Sequence, residues 1–336
     1  MHKTIGQKIY KALFVVVCVI AALVLLLFEM YRETGEPLQV YETTNPYIVG
    51  EGQTLISAHR SGAGIFPENT LMAFQGCLES ETFETDIYEF DLHLTADGVL
   101  ILSHDSTLDR MTNAVAVYGH EGVRVSDLTY REIRGLNFGE GFKDADGIYP
   151  YAGLTGEFIP EDLRALSLEN ALDYLESMGD FRYIIEIKNG DELGYRATDE
   201  LYRILTERDM LQDVVVGTFN GEVTKYIDKT YPDMLRSASV AEAIFFFLRA
   251  TFSIPAGEDA FKYVALQVPP MAEVLNLAST RVLNYAHEHN LALQYWTVND
   301  AYTVEQLAAK HADAIMSDYP DMAYAIVRDL ETQAEE

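Results

Sequence analysis

Between residues 57 and 105 the chain gathers the side-chain types that move protons and hold cations. It runs Ser57-Ala-His59-Arg60, Pro67-Glu68-Asn69-Thr70, Glu89-Phe-Asp91-Leu-His93 and Thr95-Ala-Asp97-Gly98, and it closes on His104-Asp105. Glu89, Asp91 and His93 alternate, so in a strand their side chains share one face. That face looks inward, and an inward carboxylate needs a cation or a catalytic task. Asp97-Gly98 between two short apolar runs signals a hairpin. A tight turn there lays Asp91 roughly opposite His104 and Glu89 near Asp105. Much later in the chain, Ile185-Glu186-Ile187-Lys188 adds another acid and a base. Glu89, Asp91 and Glu186 make a hard, oxygen-rich donor set suited to Ca²⁺ or Mg²⁺ and poor for zinc. Glu68 is a candidate fourth ligand; a solvent-facing acid in the first turn of a helix is the competing reading. Arg60 can clamp a phosphate through its fork, and Lys188 can add a point charge. His59 and His104 carry imidazoles that suit acid–base work near neutral pH. His93 shares the carboxylate face and is a weaker candidate for a direct role.

These residues are scattered along the sequence, so a fold must collect them. Short β-branched runs at 54–59, 86–92, 98–103, 182–187, 213–218, 233–237, 262–268, 291–297 and 313–317 read as strands. Amphipathic segments near 70–79, 167–178, 196–209, 220–230, 239–252, 273–289, 301–310 and 320–331 read as helices. Regular alternation of the two argues for a parallel sheet. If 98–103 runs back against 86–92, eight parallel strands remain. The expected fold is α/β: a distorted TIM (βα)8 barrel with an added hairpin strand. Barrel enzymes carry their reacting groups at the C-terminal strand ends. His59 and Arg60, Glu89 and Asp91, and Glu186 and Lys188 all fall there. Trp296, the only tryptophan, ends a late strand and serves either as packing or as a wall for the substrate. His287, His289 and His311 lie on late helices and are expected to face solvent. The excursion at about 106–165, rich in Gly, Tyr and acids, reads as a long loop or cap.

The same motifs resemble those of the glycerophosphodiester phosphodiesterase family, within the PLC-like phosphodiesterase superfamily. His-Arg ends a first strand, Pro-Glu-Asn-Thr opens a first helix, and Glu-x-Asp, Thr-x-Asp-Gly and His-Asp follow in order. Glu186-x-Lys188, Trp296-Thr-Val-Asn299 and Ser317-Asp-Tyr-Pro320 look like the later family motifs. The likeness covers roughly residues 54–330. One departure is Ser61, where the family usually carries glycine. The resemblance implies the same barrel, a divalent cation, and cleavage of a glycerophosphodiester to glycerol 3-phosphate and an alcohol. It further implies attack by a glycerol hydroxyl, with one histidine as base and the other as acid, through a cyclic phosphate that water opens; His59 is assigned the base and His104 the acid, an order the sequence itself does not fix. A lysophospholipid or a glycerophosphate polymer is the alternative substrate. A non-enzymatic binding module is the alternative role, and the paired histidines argue against it.

Composition narrows the partners. Acids outnumber bases 53 to 24, for a formal net charge of -29. Such a surface repels phosphate backbones, so nucleic acid is not an expected partner. Cys18 and Cys77 make no disulfide framework. Residues 12–28 contain no charge and no helix breaker, the short end of a bilayer span, with Tyr10 and Tyr31 as flanking anchors. Lys3, Lys8 and Lys11 precede this run, while Glu29, Arg32, Glu33 and Glu36 follow. The positive-inside rule then keeps the N-terminus cytoplasmic and exports the rest. A cleaved signal peptide is the rival reading, but no small-x-small site follows Phe28. The expected organisation is an anchor over 1–31, a linker over 32–52 and the barrel over 53–336. Within 239–254, Ala241, Ile244, Phe245, Leu248 and Phe252 follow helical spacing and are expected to bury against the barrel. Phe246 and Phe247 fall outside that stripe, and a neighbouring loop or lipid is expected to cover them.

Overall fold

Strand β1 (Leu55–Ala58), built from Leu-Ile-Ser-Ala, lies parallel between β2 (Ile87–Leu94) and β10 (Ala314–Ser317). On the β2 side the sheet continues through β4 (Arg182–Ile187) to β5 (Val214–Gly217). On the β10 side it continues through β9 (Ala292–Tyr295) to β6 (Ala265–Val268), and all these pairings are parallel. Residues 235–238 close the remaining gap with single bridges. The Ser237 amide donates to the Val216 carbonyl, and the Ala238 amide donates to the Ala265 carbonyl at 2.8 Å. The result is a nearly closed barrel of eight staves, as expected. Strand β3 (Leu100–Leu102) is the added antiparallel partner of β2. A small hairpin, β7 (Met271–Ala272) and β8 (Leu275–Asn276), stands apart. The computed structural model describes residues 2–33, 35–38, 40, 42–50, 53–257, 260–273 and 275–335. The Lys3 and Lys8 side chains, invoked above for topology, lie outside that description.

Alternation along each stave sorts the interior into layers. Leu55, Ile87, Ile184, Val215, Ala265, Ala292 and Ala314 form an apolar floor that Tyr47 plugs from below. The Tyr47 ring is fully buried, and its hydroxyl lies 2.6 Å from the Asp213 carbonyl and 3.0 Å from that of Tyr183. Two residues further up, five of these strands turn polar, with Ser57, Glu89, Glu186, Gln267 and Gln294, while Gly217 and Met316 stand at that position on β5 and β10. The next layer carries His59, Asp91, Lys188, Trp296 and Asp318. Phe90, Leu92, Ile185 and Ile187 point outward from β2 and β4 into a core with Phe74, Leu172 and Leu201. Each such burial contributes roughly 1.5–3 kcal/mol.

The helices are α1 (His2–Tyr31), α2 (Leu71–Leu78), α3 (Ala114–Tyr118), α4 (Tyr130–Ile133), α5 (Leu168–Met178) and α6 (Asp191–Glu207). After them come α7 (Gly221–Thr230), α8 (Val240–Thr251), α9 (Thr280–Glu288), α10 (Ala301–Ala308) and α11 (Pro320–Glu335). In α1 the stretch Leu13–Tyr31 has mean hydropathy 3.0, none of it buried, and is long and apolar enough to cross a membrane. The 106–165 excursion is packed: Leu108, Val125, Ile133, Leu136 and Phe138 share a core with Ile101 of β3.

Three expectations change. The β2–β3 connection spans five residues, 95–99, and Leu92 pairs with Leu102, which places Ser103, not His104, opposite Asp91. His287 is buried, its Nε2 3.0 Å from Asp313 Oδ2, because the fully buried Asp313 needs a partner. His289 and His311 are half-buried. The third change is the orientation of α8. Phe246 and Phe247 are buried at 1% and 5% exposure, whereas Ile244 and Phe245 are 57% and 67% exposed. Ser239 and Glu242 form a capping box at the helix start. Buried Arg236 holds Glu242 at 2.9 Å, which pins the rotation of the helix. Ala243, Phe246, Phe247 and Ala250 are thereby turned to the core. Apolar residues on every side of α8 made two stripes legible, and the polar anchor at residue 242 selects between them. Phe246→Ala is expected to cost about 3–5 kcal/mol in denaturant unfolding. Phe245→Ser is expected to stay within about 0.5 kcal/mol of the parent.

Candidate active site

Strand register builds the acidic centre. Asp91 on β2 aligns with Glu186 on β4, which aligns with Gly217 on β5. One carboxylate oxygen from each of Glu89, Asp91 and Glu186 lies within 4.8 Å of the others. Gly217 keeps the neighbouring position open: a Cβ there would sit 3.1 Å from Gln267 Oε1. Like charges this close in a buried setting cannot all ionise freely. Burial, and then Asp91, push Glu89 up to about 8. Burial also raises Glu186. For Asp91 burial acts in the same direction, but Lys188, Arg60 and His104 outweigh it and hold the carboxyl below its ordinary range. An all-oxygen trio that carries this strain of charge fits a hard divalent cation, and these three residues would hold one.

Basic groups crowd the same trio. Lys188 Nζ lies 3.0 Å from Glu186 and 3.4 Å from Asp91. The Arg60 amide donates to Glu89 Oε2 at 2.7 Å, and its guanidinium lies 3.2 Å from Glu68 and 3.6 Å from Asp91. This geometry needs a left-handed turn at Arg60 (φ 48) and Ser61 (φ 64). Glycine adopts that conformation at least cost, and serine holds it here at some strain. Glu68 faces Arg60 and Arg110, the latter donating to both of its oxygens at 2.6 and 3.0 Å, and stands outside the trio.

The two histidines are each backed by a carboxylate. His59 Nδ1 is 2.6 Å from Asp318, and His104 Nδ1 is 2.8 Å from Asp105. Both aspartates stay below their ordinary pKa despite burial, through their histidine and, for Asp105, Arg110. An ionised carboxylate only accepts, so Nδ1 carries the proton in each ring and Nε2 is left for other work. Burial opposes the charged form of His59, but the Asp318 bond and Glu89 prevail and raise its pKa. Burial prevails at His104 and lowers it, against Asp91 and Asp105. His59 therefore holds its proton more firmly than an ordinary imidazole, and His104 less firmly. Burial takes His93 down to about 4, and its Nε2 lies 3.3 Å from the His104 carbonyl, a contact that positions the His104 backbone. Trp296 lines the cavity above the acids and meets Phe219 edge to face, with ring centroids 5.7 Å apart.

Four participants were missed as site residues. Asn69 bonds Asp91 through both its amide oxygen and nitrogen. Asp318, Asp105 and Arg110 hold the histidines and Glu68. The first three sit inside motifs already noted, which was the available signal; Arg110 sits in none.

A carboxylate trio, two carboxylate-backed histidines and two basic groups on one barrel rim suit the cleavage of a phosphate ester. The comparisons agree: the chain belongs to the glycerophosphoryl diester phosphodiesterase family, whose family model matches residues 59–322. It is 25% identical over 284 residues to a glycerophosphodiester phosphodiesterase of Bacillus subtilis (strain 168), covering 83% of this chain and 88% of that protein. It is 27% identical over 280 residues to one from Caldanaerobacter subterraneus subsp. tengcongensis, covering 82% and 98%. The fold is similar to that of a putative glycerophosphoryl diester phosphodiesterase from Silicibacter pomeroyi, with a TM-score of 0.64, 21% identity, and coverage of 85% and 96%.

Because the Asp318 bond helps raise His59, Asp318→Asn is expected to lower the His59 pKa in an NMR titration. Less imidazolium would then be present at neutral pH, and kcat is expected to fall about 10- to 100-fold. A His59 titration that stays in place would show that Asp318 does not set its charge.

Proposed function

We propose that this protein hydrolyses glycerophosphodiesters to glycerol 3-phosphate and an alcohol, with Ca²⁺ or Mg²⁺ held by Glu89, Asp91 and Glu186. The observation that carries this reading is the placement of that trio beside two carboxylate-backed histidines on one rim. A bound cation would polarise the phosphoryl oxygens and ease ionisation of the adjacent glycerol hydroxyl. Arg60 and Lys188 neutralise and orient the phosphate. The proton affinities favour His104 Nε2 as the base that takes the proton of the attacking hydroxyl. The hydroxyl oxygen bonds to phosphorus as the ester bond to the alcohol breaks, and His59 gives the leaving oxygen its proton. Water opens the cyclic phosphate with the two roles exchanged.

Asp91→Ala or Glu186→Ala is expected to abolish release of glycerol 3-phosphate and to weaken Ca²⁺ binding in calorimetry. His104→Ala is expected to lower kcat about 10²–10⁴-fold and to leave cation affinity nearly unchanged. Equal loss of cation affinity in His104→Ala and Asp91→Ala would merge the two roles and sink the assignment.

The helix α1 serves as an uncleaved anchor, with the N-terminus cytoplasmic and the barrel outside. Its end is built into the barrel: Glu29 pairs with Arg281, and Glu33 accepts from the Thr280 amide at 2.9 Å and from Lys310 at 2.5 Å. Cleavage after residue 30 would discard Met30, which packs against the same core. Protease added to intact cells is expected to digest the barrel, and the purified chain is expected to begin near Met1. A mature N-terminus mapped beyond residue 30 would count against the anchor.

A further inference from the structure

Helix α8 has an apolar side that the described residues leave open. Phe246 and Phe247 turn to the core, and the opposite side is left to Val240, Ile244, Phe245, Leu248 and Phe252, all exposed. At 3.6 residues per turn these five share one stripe of the helix. The charged residues within 240–254 are Glu242 and Arg249, and both lie off that stripe. Glu242 is held by Arg236, and Arg249 donates to the Pro255 carbonyl at 3.0 Å. A contiguous apolar patch of this kind marks a contact with another body. The neighbouring helix α1 shows which one. Its span Leu13–Tyr31 rises about 28 Å, close to the ~30 Å of a bilayer's hydrocarbon. The end sewn into the barrel therefore stands at the membrane boundary, with no spacer between the two. Arg281 joins that end to α8, since it donates to the Thr251 carbonyl at 2.6 Å and lies 3.4 Å from Glu29. Met30 also lines one cavity with Ile244 and Leu248. The open stripe of α8 thus begins where the apolar span ends.

We propose that α8 is a second membrane contact, lying in the bilayer surface beside α1 with Ile244, Phe245, Leu248 and Phe252 below the headgroups. The inference rests on the anchor reading above and adds a docking surface on the barrel itself. A helix that lies in the interface sinks its apolar side about 5–10 Å into the headgroup and acyl boundary. That depth suits side chains placed beside the end of a spanning helix. The chain's formal charge of -29 repels anionic lipid over most of its surface, whereas this stripe carries no charge and enters by apolar burial. The capping box and the Arg236–Glu242 pair fix the rotation of α8, so the stripe is presented in one orientation. Ile254, just past the helix and also exposed, extends the apolar surface.

The test uses the full chain in lipid nanodiscs, with an environment-sensitive fluorophore on one thiol at a time. Cys18 is exposed within the span and takes the first label. Cys77 is buried, its thiol pushed up to about 12, and stays unlabelled. In a Cys18→Ser chain the label moves to Phe245→Cys, or to Met178→Cys as a control at an exposed position on α5, with α6 and α7 between it and α8. Lipids spin-labelled near the top of the acyl chain are expected to quench Phe245→Cys at least about threefold more than Met178→Cys, with emission shifted to the blue. Lipids spin-labelled lower in the chain are expected to quench Cys18. Ile244→Asp and Phe252→Asp, both at exposed positions, are expected to cut quenching at Phe245→Cys by about half or more while thermal unfolding stays in place. Quenching that ignores those charges would assign it to the nearness of α1 and overturn the docking. Equal, weak quenching at the two barrel positions, with Cys18 quenched, would overturn the docking and leave the anchor standing. A blue shift at Phe245→Cys without quenching by lipid would put protein on the stripe, such as a second copy of the chain, and would also overturn it. Quenching at Phe245→Cys with none at Cys18 would overturn the anchor and keep α8 as the contact with lipid.

Discussion

Three carboxylates held within 4.8 Å of one another inside a barrel are the constraint on which the rest of the site depends. In a medium of low dielectric their mutual repulsion and their lost hydration both oppose folding. Every nearby polar feature answers that cost. The Arg60 amide reaches Glu89, Asn69 brackets Asp91, and Lys188 bridges Asp91 and Glu186. Below them the floor around Tyr47 is apolar and closed, so compensation comes from the sides and from above. The left-handed conformation at Arg60 and Ser61 follows from this demand, since it turns one backbone donor onto a buried acid.

The hairpin strand β3 gains its meaning in the same frame. It adds no stave to the barrel, yet its end delivers His104 and Asp105 to a rim that already carries His59 and Asp318. Each histidine draws its carboxylate from a different place, one from the next residue in the chain and one from the last stave. The burial of His59 is outweighed by Asp318 and Glu89, while at His104 burial prevails over Asp91 and Asp105. Two similar imidazoles are thus shifted in opposite directions, His59 up and His104 down, which suits a reaction needing one acid and one base.

Period and motif carried most of this into the sequence. Strand runs of four to eight residues and their alternation with amphipathic segments specify eight parallel staves. The Glu-x-Asp spacing specifies which acids share a face. Side-chain rotation on α8 was not legible, because Ile244, Phe245, Phe246 and Phe247 are all apolar and periodicity alone cannot choose among them. A buried ion pair between Arg236 and Glu242 made the choice, and such a contact between an irregular stave and a helix leaves no periodic trace. His287 was obscure for a related reason: its partner Asp313 becomes buried only when β10 enters the barrel. Arg110 lies in the excursion, where little periodicity exists, and its link to Glu68 crosses 42 residues.

The described residues between α1 and the floor of the barrel are sewn to its side. Asn284 bonds both Glu36 and Leu38, Asn290 bonds Thr43 and Thr44, and Asn45 reaches the Val264 carbonyl before Tyr47 enters the floor. A segment stitched at that many points cannot swing as a leash. Where α1 tilts, the barrel tilts with it, so the heading of the catalytic mouth relative to that helix is a fixed property of the chain.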